Sequence, residues 1–166
     1  MSNRELGRSG IKVPALTFGG NVFGWTADRE TSFSLLDALV ENQLNFIDTA
    51  DSYGPHVSEE LIAEALYPYQ KGLVIATKGG LERPGPDQWT PNDDPKYLQA
   101  ALEGSLKRLK LESIDLYQLH RIDDKIPFED QMNFLKNAQE QGLIKHIGLS
   151  EVGVEDIQKP WIISTL

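Results

Sequence analysis

Four residues of types that do proton chemistry stand where three apolar runs stop. Asp48 and Tyr53 follow Asn45-Phe-Ile47, Lys78 follows Leu73-Val-Ile-Ala-Thr77, and His120 follows Ile114-Asp-Leu-Tyr-Gln-Leu119. A tyrosine phenol titrates near ~10 by itself and is a poor proton donor or acceptor near neutral pH. An adjacent lysine ammonium stabilises the phenolate and draws that value down. An aspartate holds the ammonium charged and fixed, and a nearby imidazole donates a hydrogen bond that orients a carbonyl. Together these groups make a general acid poised to protonate a carbonyl oxygen as hydride reaches its carbon. Each residue also has an ordinary explanation. Asp48 can be a turn or cap residue, Lys78 a solvated side chain, His120 a packed imidazole, and Asn45–Gly54 a solvated loop before a helix. The case for chemistry is that complementary groups recur at equivalent places in the chain. Asp51, in the same stretch, reads as a loop residue.

The elements that must position these groups alternate. Glu5 to Val13 reads as a hairpin turning at Gly7 and Gly10, and Ala15-Leu-Thr-Phe18 as a short strand closed by Gly19-Gly20. Phe33, Leu36, Leu39 and Val40 give a helical stripe over Asp28–Gln43, capped by Asp28 or Thr26. Ser58–Tyr69 is a second helix, with Ser58 as its cap and Glu59 and Glu60 as negative charge at its positive end. Leu73–Thr77 is continuously apolar, as a strand buried on both faces should be. A long Gly/Pro-rich loop runs from Leu81 to Asp94. Pro95 opens a helix to Leu109, Pro127–Gln141 is another ending at Gly142, and Ile144–Leu149 is a further strand. Strands alternating with helices imply right-handed βαβ units and a parallel sheet.

Composition narrows the rest. The 166 residues carry 16 basic and 25 acidic side chains, a formal charge of −9. That argues against a nucleic-acid partner, which needs a basic face, and against docking on anionic membrane lipid. There is no cysteine, so thiol catalysis and disulfides are excluded. No apolar run has the length of a signal peptide or a membrane span, and the reading is of a soluble cytoplasmic chain. His56, Glu59 and Glu60 near Asp51 fit no standard metal spacing, and no metal is expected. A doubly wound nucleotide fold wants a Gly-rich phosphate loop after the first strand. The glycines of Phe18-Gly-Gly-Asn-Val-Phe-Gly24 are wrongly spaced for it.

Taken in order, Leu6-Gly-Arg-Ser-Gly-Ile-Lys-Val13, Thr17-Phe-Gly-Gly20, Asp48-Thr-Ala-Asp-Ser-Tyr-Gly54, Thr77-Lys78, Tyr117-Gln-Leu-His120 and Ile147-Gly-Leu-Ser150 resemble the successive motifs of the aldo-keto reductase superfamily. The resemblance implies a (β/α)8 barrel that uses NADPH, and sometimes NADH, to reduce a small-molecule aldehyde or ketone. It implies Tyr53 as proton donor, Lys78 as the group that lowers its pKa, Asp48 as the partner of Lys78, and His120 as the orienting imidazole. Gly20, Asn21, Val22 and Asp48 would line the cofactor side, with Ser150 holding the nicotinamide carboxamide. Phe23 and Trp25 would join Tyr53 and His120 on the substrate side. The family follows that serine with asparagine; here Glu151 stands there, and the resemblance implies it as a further contact on the cofactor side. Trp89, on the loop after Gly79, and Trp25 are the local candidates for a substrate wall.

Eight βα units typically need about 250 residues, and the pattern here shows five strands. The expectation is therefore a single domain over 1–166, a partial barrel of an N-terminal hairpin and about five βα units, with 160–166 as a tail unlike the family. Two functional outcomes follow: a reductase whose turnover depends on further barrel units, or an inactive half-barrel that self-associates or binds a partner through unpaired strand edges.

Overall fold

The computed structural model describes residues 3–85 and 87–159; the expected 160–166 tail lies outside them. The chain opens with β1 (Asn3–Glu5) paired antiparallel to β2 (Lys12–Pro14). A very short β3 (Phe18–Gly19) leads into a single 3-10 turn at Gly20–Val22. Helix α1 (Arg29–Glu41) starts at Asp28, whose carboxylate accepts from Thr31 N at 2.8 Å. Then come β4 (Phe46–Asp48), α2 (Val57–Leu66) and β5 (Val74–Gly79).

The expected loop after Gly79 is instead a ribbon: β6 (Leu81–Gly85) pairs antiparallel with β7 (Gln88–Pro91). A two-stranded ribbon has free edges, so Pro84 and Pro91 cost it no central ladder bond. Helix α3 (Pro95–Leu109) is capped by Asp94 and ends with Lys107 and Arg108 in its last turn, matching the helix dipole at both ends. Strand β8 (Ile114–Leu119), α4 (Phe128–Glu140), β9 (Ile144–Leu149) and the short α5 (Val154–Ile157) complete it.

Five strands form one parallel sheet in the order β3-β4-β5-β8-β9. Sequential strands are neighbours, as successive βαβ units require, and the sheet is five strands of a barrel wall. Helices cover its outer face in two apolar clusters. Leu36, Ile47, Ile62 and Ile75 centre one, and Leu98, Leu102, Tyr117, Met132 and Leu135 the other. A third, small cluster of Val13, Phe46, Ala76 and Leu116 joins β2 to the sheet.

Side chains alternate across a strand, so the even-numbered members of β4, β5 and β8 share the inner face. The register pairs Phe46 with Val74, Asp48 with Ala76, Ala76 with Leu116 and Lys78 with Gln118. The inner face is thus apolar at its base and polar where the strands end. Among the described residues no helix is long and apolar enough to cross a membrane.

Candidate active site

The polar upper layer of that face assembles around Asp48. Lys78 Nζ donates to Asp48 Oδ2 at 2.8 Å and to the Thr49 carbonyl at 2.9 Å. Gln118 Nε2 donates to Asp48 Oδ1 at 3.2 Å. Room for Gln118 comes from Gly148, its register partner on β9: a Cβ there would lie 2.7 Å from Gln118 Cγ. Lys78 is only 4% exposed, so its charge rests on Asp48 rather than on water.

Tyr53 comes from the turn after β4. Lys78 Nζ stands 5.2 Å from the centre of its ring, and the His120 ring meets it edge-on at 5.6 Å and 83°. Ser52 Oγ lies 3.3 Å from His120 Nδ1. Burial, then the positive charges of Lys78 and Arg121, hold the His120 imidazolium down to about 4, so the ring is neutral at physiological pH. A Ser52 hydroxyl donating to Nδ1 would leave the ring proton on Nε2.

The expected lowering of Tyr53 is not what the structure shows. Burial first, then the carboxylates of Asp48 and Glu151, push the phenol up to about 12. The Asp48 that anchors Lys78 also offsets its charge, so desolvation of the phenolate decides the direction. Tyr53 is therefore a protonated phenol throughout the physiological range.

Tyr53 and His120 open onto a cleft of about 160 Å³ also lined by Asn21, Trp25, Leu81, Arg83, Trp89, Arg121 and Glu151. Asn21, Trp25, Trp89 and Glu151 are thus brought to one cleft with Tyr53 and His120. Ser150 is half-buried at the end of β9, its amide bonded to the Leu119 carbonyl at 3.0 Å. Gly20, Val22 and Phe23 turn away. Gly20 is buried against α2, where a Cβ would lie 2.8 Å from Ser58 Oγ. Phe23 is fully buried in the α1–α2 core, stacked near Phe18, with Val22 packed on the same cluster. The 3-10 turn reverses the chain there, carrying these apolar groups into the core and leaving the Asn21 amide outside.

One other expectation needs correction, and two residues are more enclosed than their place in the sequence indicated. Ser58 is not the cap of α2; it is buried and bridges Thr49 Oγ1 (2.7 Å) and the Gly20 carbonyl (2.9 Å), while His56, at φ 68, precedes the helix. Glu59 stands in the first turn of α2 as expected, but it is buried, between Arg108 Nε (2.7 Å) and Thr77 Oγ1 (2.6 Å). Asp51 lies in the turn after β4, as expected of a loop residue, but it is enclosed. It is 2% exposed, its Oδ1 has no partner, and burial followed by the Glu59 charge pushes its carboxyl up to about 7. Among the described residues no three His, Asp or Glu side chains are grouped as a metal ion would need.

Sequence reasoning missed Gln118, Ser52, Arg83 and Arg121. Gln118 had a usable signal, since its even position puts it on the inner face with Lys78. The others depend on contacts between distant segments.

A polar cluster at the carboxyl ends of parallel strands, opening on a cleft, is the arrangement of an α/β-barrel enzyme. The Aldo/keto reductase family model matches residues 15–162, and the chain belongs to that family. It is similar to an uncharacterized oxidoreductase of Schizosaccharomyces pombe, with 52% identity over 93% of this chain and 50% of the relative. It is 40% identical to pyridoxine 4-dehydrogenase of Escherichia coli, over 92% of this chain and 55% of that protein. Among solved structures, a holo-form aldo-keto reductase from Bacillus halodurans superposes with TM-score 0.82 at 30% identity, over 90% of this chain and 50% of its own. The glycerol dehydrogenase of Gluconobacter oxydans superposes with TM-score 0.84 at 25% identity, over 99% and 52%. The chain spans about half the length of the curated relatives it matches. Family and relatives together place the chain by descent among the aldo-keto reductases, with an α/β fold that forms part of a barrel.

Proposed function

We propose that this chain carries the acid–base half of a carbonyl reductase site, acting on small aldehydes or ketones with NADPH, or NADH in its place. The observation that carries the reading is the ion pair of buried Lys78 with half-buried Asp48 beside the Tyr53 ring, with neutral His120 edge-on at the same cleft. Two relatives bear names of dehydrogenases acting on alcohols, pyridoxine and glycerol, which is the same reaction run the other way.

The residues present suit the nicotinamide end of such a cofactor. Asn21 offers an exposed amide at the cleft and Ser150 a hydroxyl at the end of β9, and a carboxamide needs one donor and one acceptor. When bound, the reduced nicotinamide supplies hydride. His120 Nε2–H donates to the substrate carbonyl oxygen and fixes its position. As negative charge grows on that oxygen, the Tyr53 hydroxyl gives it the proton. An alkoxide is a stronger base than a phenolate, so the transfer runs downhill even from a raised phenol. Lys78 meets the phenolate that remains, and Asp48 with Gln118 keeps Lys78 in place.

Reduction of 4-nitrobenzaldehyde by NADPH, followed by cofactor absorbance, tests this. Tyr53→Phe should lower kcat by about 10²- to 10⁴-fold, the usual worth of a general acid. A loss under threefold would overturn the assignment. An acidic, cysteine-free chain with no spanning helix among the described residues suits the cytoplasm, where we place it.

A second reading is favoured by the sheet itself, whose end strands β3 and β9 each pair on one side among the described residues. Unpaired edges recruit other strands, and by this reading the chain alone self-associates or adds to a partner's sheet rather than turning over substrate.

A further inference from the structure

The cleft beside Tyr53 and His120 holds two arginines, and they differ. Arg121 Nη2 lies 2.8 Å from Glu151 Oε2, so its charge is answered. Arg83, the third residue of β6, has no carboxylate partner among the described residues. Its guanidinium carbon lies 4.7 Å from the centre of the Trp89 ring and 6.0 Å from that of Trp25. The acid beside it in sequence, Glu82, accepts instead from Asn92 Nδ2 at 2.5 Å.

Stacking against indoles uses the faces of a guanidinium. The N–H bonds of a guanidinium lie in its plane, so against a ring face they remain available as a fork that matches the two oxygens of a carboxylate or phosphate. An arginine packed on the Trp89 ring, with Trp25 at the edge of reach, has also given up part of the side-chain entropy that binding would cost. Both indoles belong to the cleft wall, so the fork is held at the cavity that Tyr53 and His120 share. On a chain of net charge −9, general attraction would not bring an anion there; a local unanswered cation can hold one.

We propose that Arg83 binds the anionic end, carboxylate or phosphate, of the substrate whose other end meets Tyr53 and His120. The chemical class is a small acidic aldehyde or ketone, with a ring or short chain between the two groups, as a cleft of about 160 Å³ allows. The identity of that other end rests on the carbonyl-reductase reading; the anion site does not.

Binding decides the anion site without turnover. Quenching of tryptophan fluorescence by benzoate and by neutral benzamide, at low ionic strength, compares ligands of one shape and different charge. The intact chain should prefer benzoate by about tenfold to a hundredfold, the worth of a charge-assisted pair. Arg83→Gln should erase the preference and Arg83→Lys keep part of it, with folding checked by circular dichroism. Arg121→Gln should keep it. Survival of the preference in Arg83→Gln, its loss only in Arg121→Gln, or no preference in the intact chain overturns the proposal. Adenosine 2′,5′-bisphosphate separates substrate from cofactor: if Arg83→Gln weakens that ligand and spares benzoate, the arginine reads a cofactor phosphate and the proposal falls. In turnover, Arg83→Gln should lower the kcat/KM ratio of 4-carboxybenzaldehyde to 4-nitrobenzaldehyde by a similar tenfold to hundredfold. If no version of the chain reduces either aldehyde, the reductase reading fails while the benzoate comparison still decides the anion site.

Discussion

Asp48 is held at both carboxylate oxygens by two residues that face each other across one strand pair. Lys78 Nζ takes Oδ2 at 2.8 Å, and Gln118 Nε2, from the register partner of Lys78, takes Oδ1 at 3.2 Å. The aspartate is therefore braced by the sheet and does not depend on the mobility of a loop. Removing one member of a buried pair typically costs ~3–5 kcal/mol. The Asp48 side chain is 35% exposed, so solvent screening reduces this to about 1–2 kcal/mol for Asp48→Asn. Gln118→Leu, which leaves the ion pair in place, should cost under ~1 kcal/mol. Urea unfolding of both variants checks the order; a larger loss in Gln118→Leu would mean the amide, not the ion pair, is the brace.

His120 should stay neutral well into acid. Burial, Lys78 and Arg121 depress its folded value to about 4, below the ordinary 6.5. The unfolded chain then binds the proton first, so this group's contribution to stability is complete above about 6.5 and is lost as pH falls from there toward 4. ¹⁵N spectra of histidine-labelled protein should show a neutral His120 ring at pH 5.5, assigned by its absence in His120→Gln. A midpoint above 6 would remove the geometric reason for assigning His120 as a neutral hydrogen-bond donor.

Self-association is the third expectation. Among the described residues β3 and β9 each pair on one side, and edges of this kind offer ladders of backbone groups to other chains. Size-exclusion chromatography with light scattering at micromolar concentration should give species above the 18.6 kDa of one chain. A single monomeric peak would count against the edge-pairing reading.

The parts legible in the sequence were those with a local cause. Asp48, Lys78 and His120 were visible because each strand announces its own end, and α3 because Pro95 and the basic last turn mark both its termini. Asp28 was visible as a cap because its partner, Thr31, is three residues away. What stayed hidden depends on partners far along the chain. Glu59 resembles any acidic helix start until Arg108, 49 residues later, is beside it. Phe23 resembles a pocket wall until the turn at Gly20–Val22 carries it into the core. The raised value of Tyr53 had the same origin, because desolvation is set by everything that packs around a phenol and no neighbour in sequence reports it.

Asp51 makes stability fall as pH rises. Its folded value of about 7 lies above the ordinary 3.8, so between those values the folded chain binds the proton and the unfolded chain does not. The contribution is fully present below about 4 and is lost as pH rises through about 7. Asp51→Asn removes the charge that must be buried above that range. It should raise stability by on the order of 2–4 kcal/mol at pH 8 and much less at pH 5. Paired urea titrations at the two pH values check the difference; equal effects at both would place the charged form of Asp51 in contact with water.

Gly79 and Tyr117 form the last coupled pair. A Cβ on Gly79 would lie 2.1 Å from the Tyr117 hydroxyl oxygen, which is buried and has no hydrogen-bond partner. Tyr117 is fully buried and cannot swing into solvent, so Gly79→Ala must displace the ring or bend β5 next to Lys78. Overpacking of this kind costs roughly 1–3 kcal/mol. Tyr117→Phe deletes only an unpaired oxygen, so it should be neutral or slightly stabilising. In the double variant the added methyl takes the space the hydroxyl left, and most of the loss should be recovered. A double-mutant cycle by thermal unfolding should therefore give a coupling of about 1 kcal/mol or more, favouring the pair. Simple additivity would mean that Gly79 is required for the backbone path of β5 toward Gly80, whose φ is +94, and not for the close approach of Tyr117.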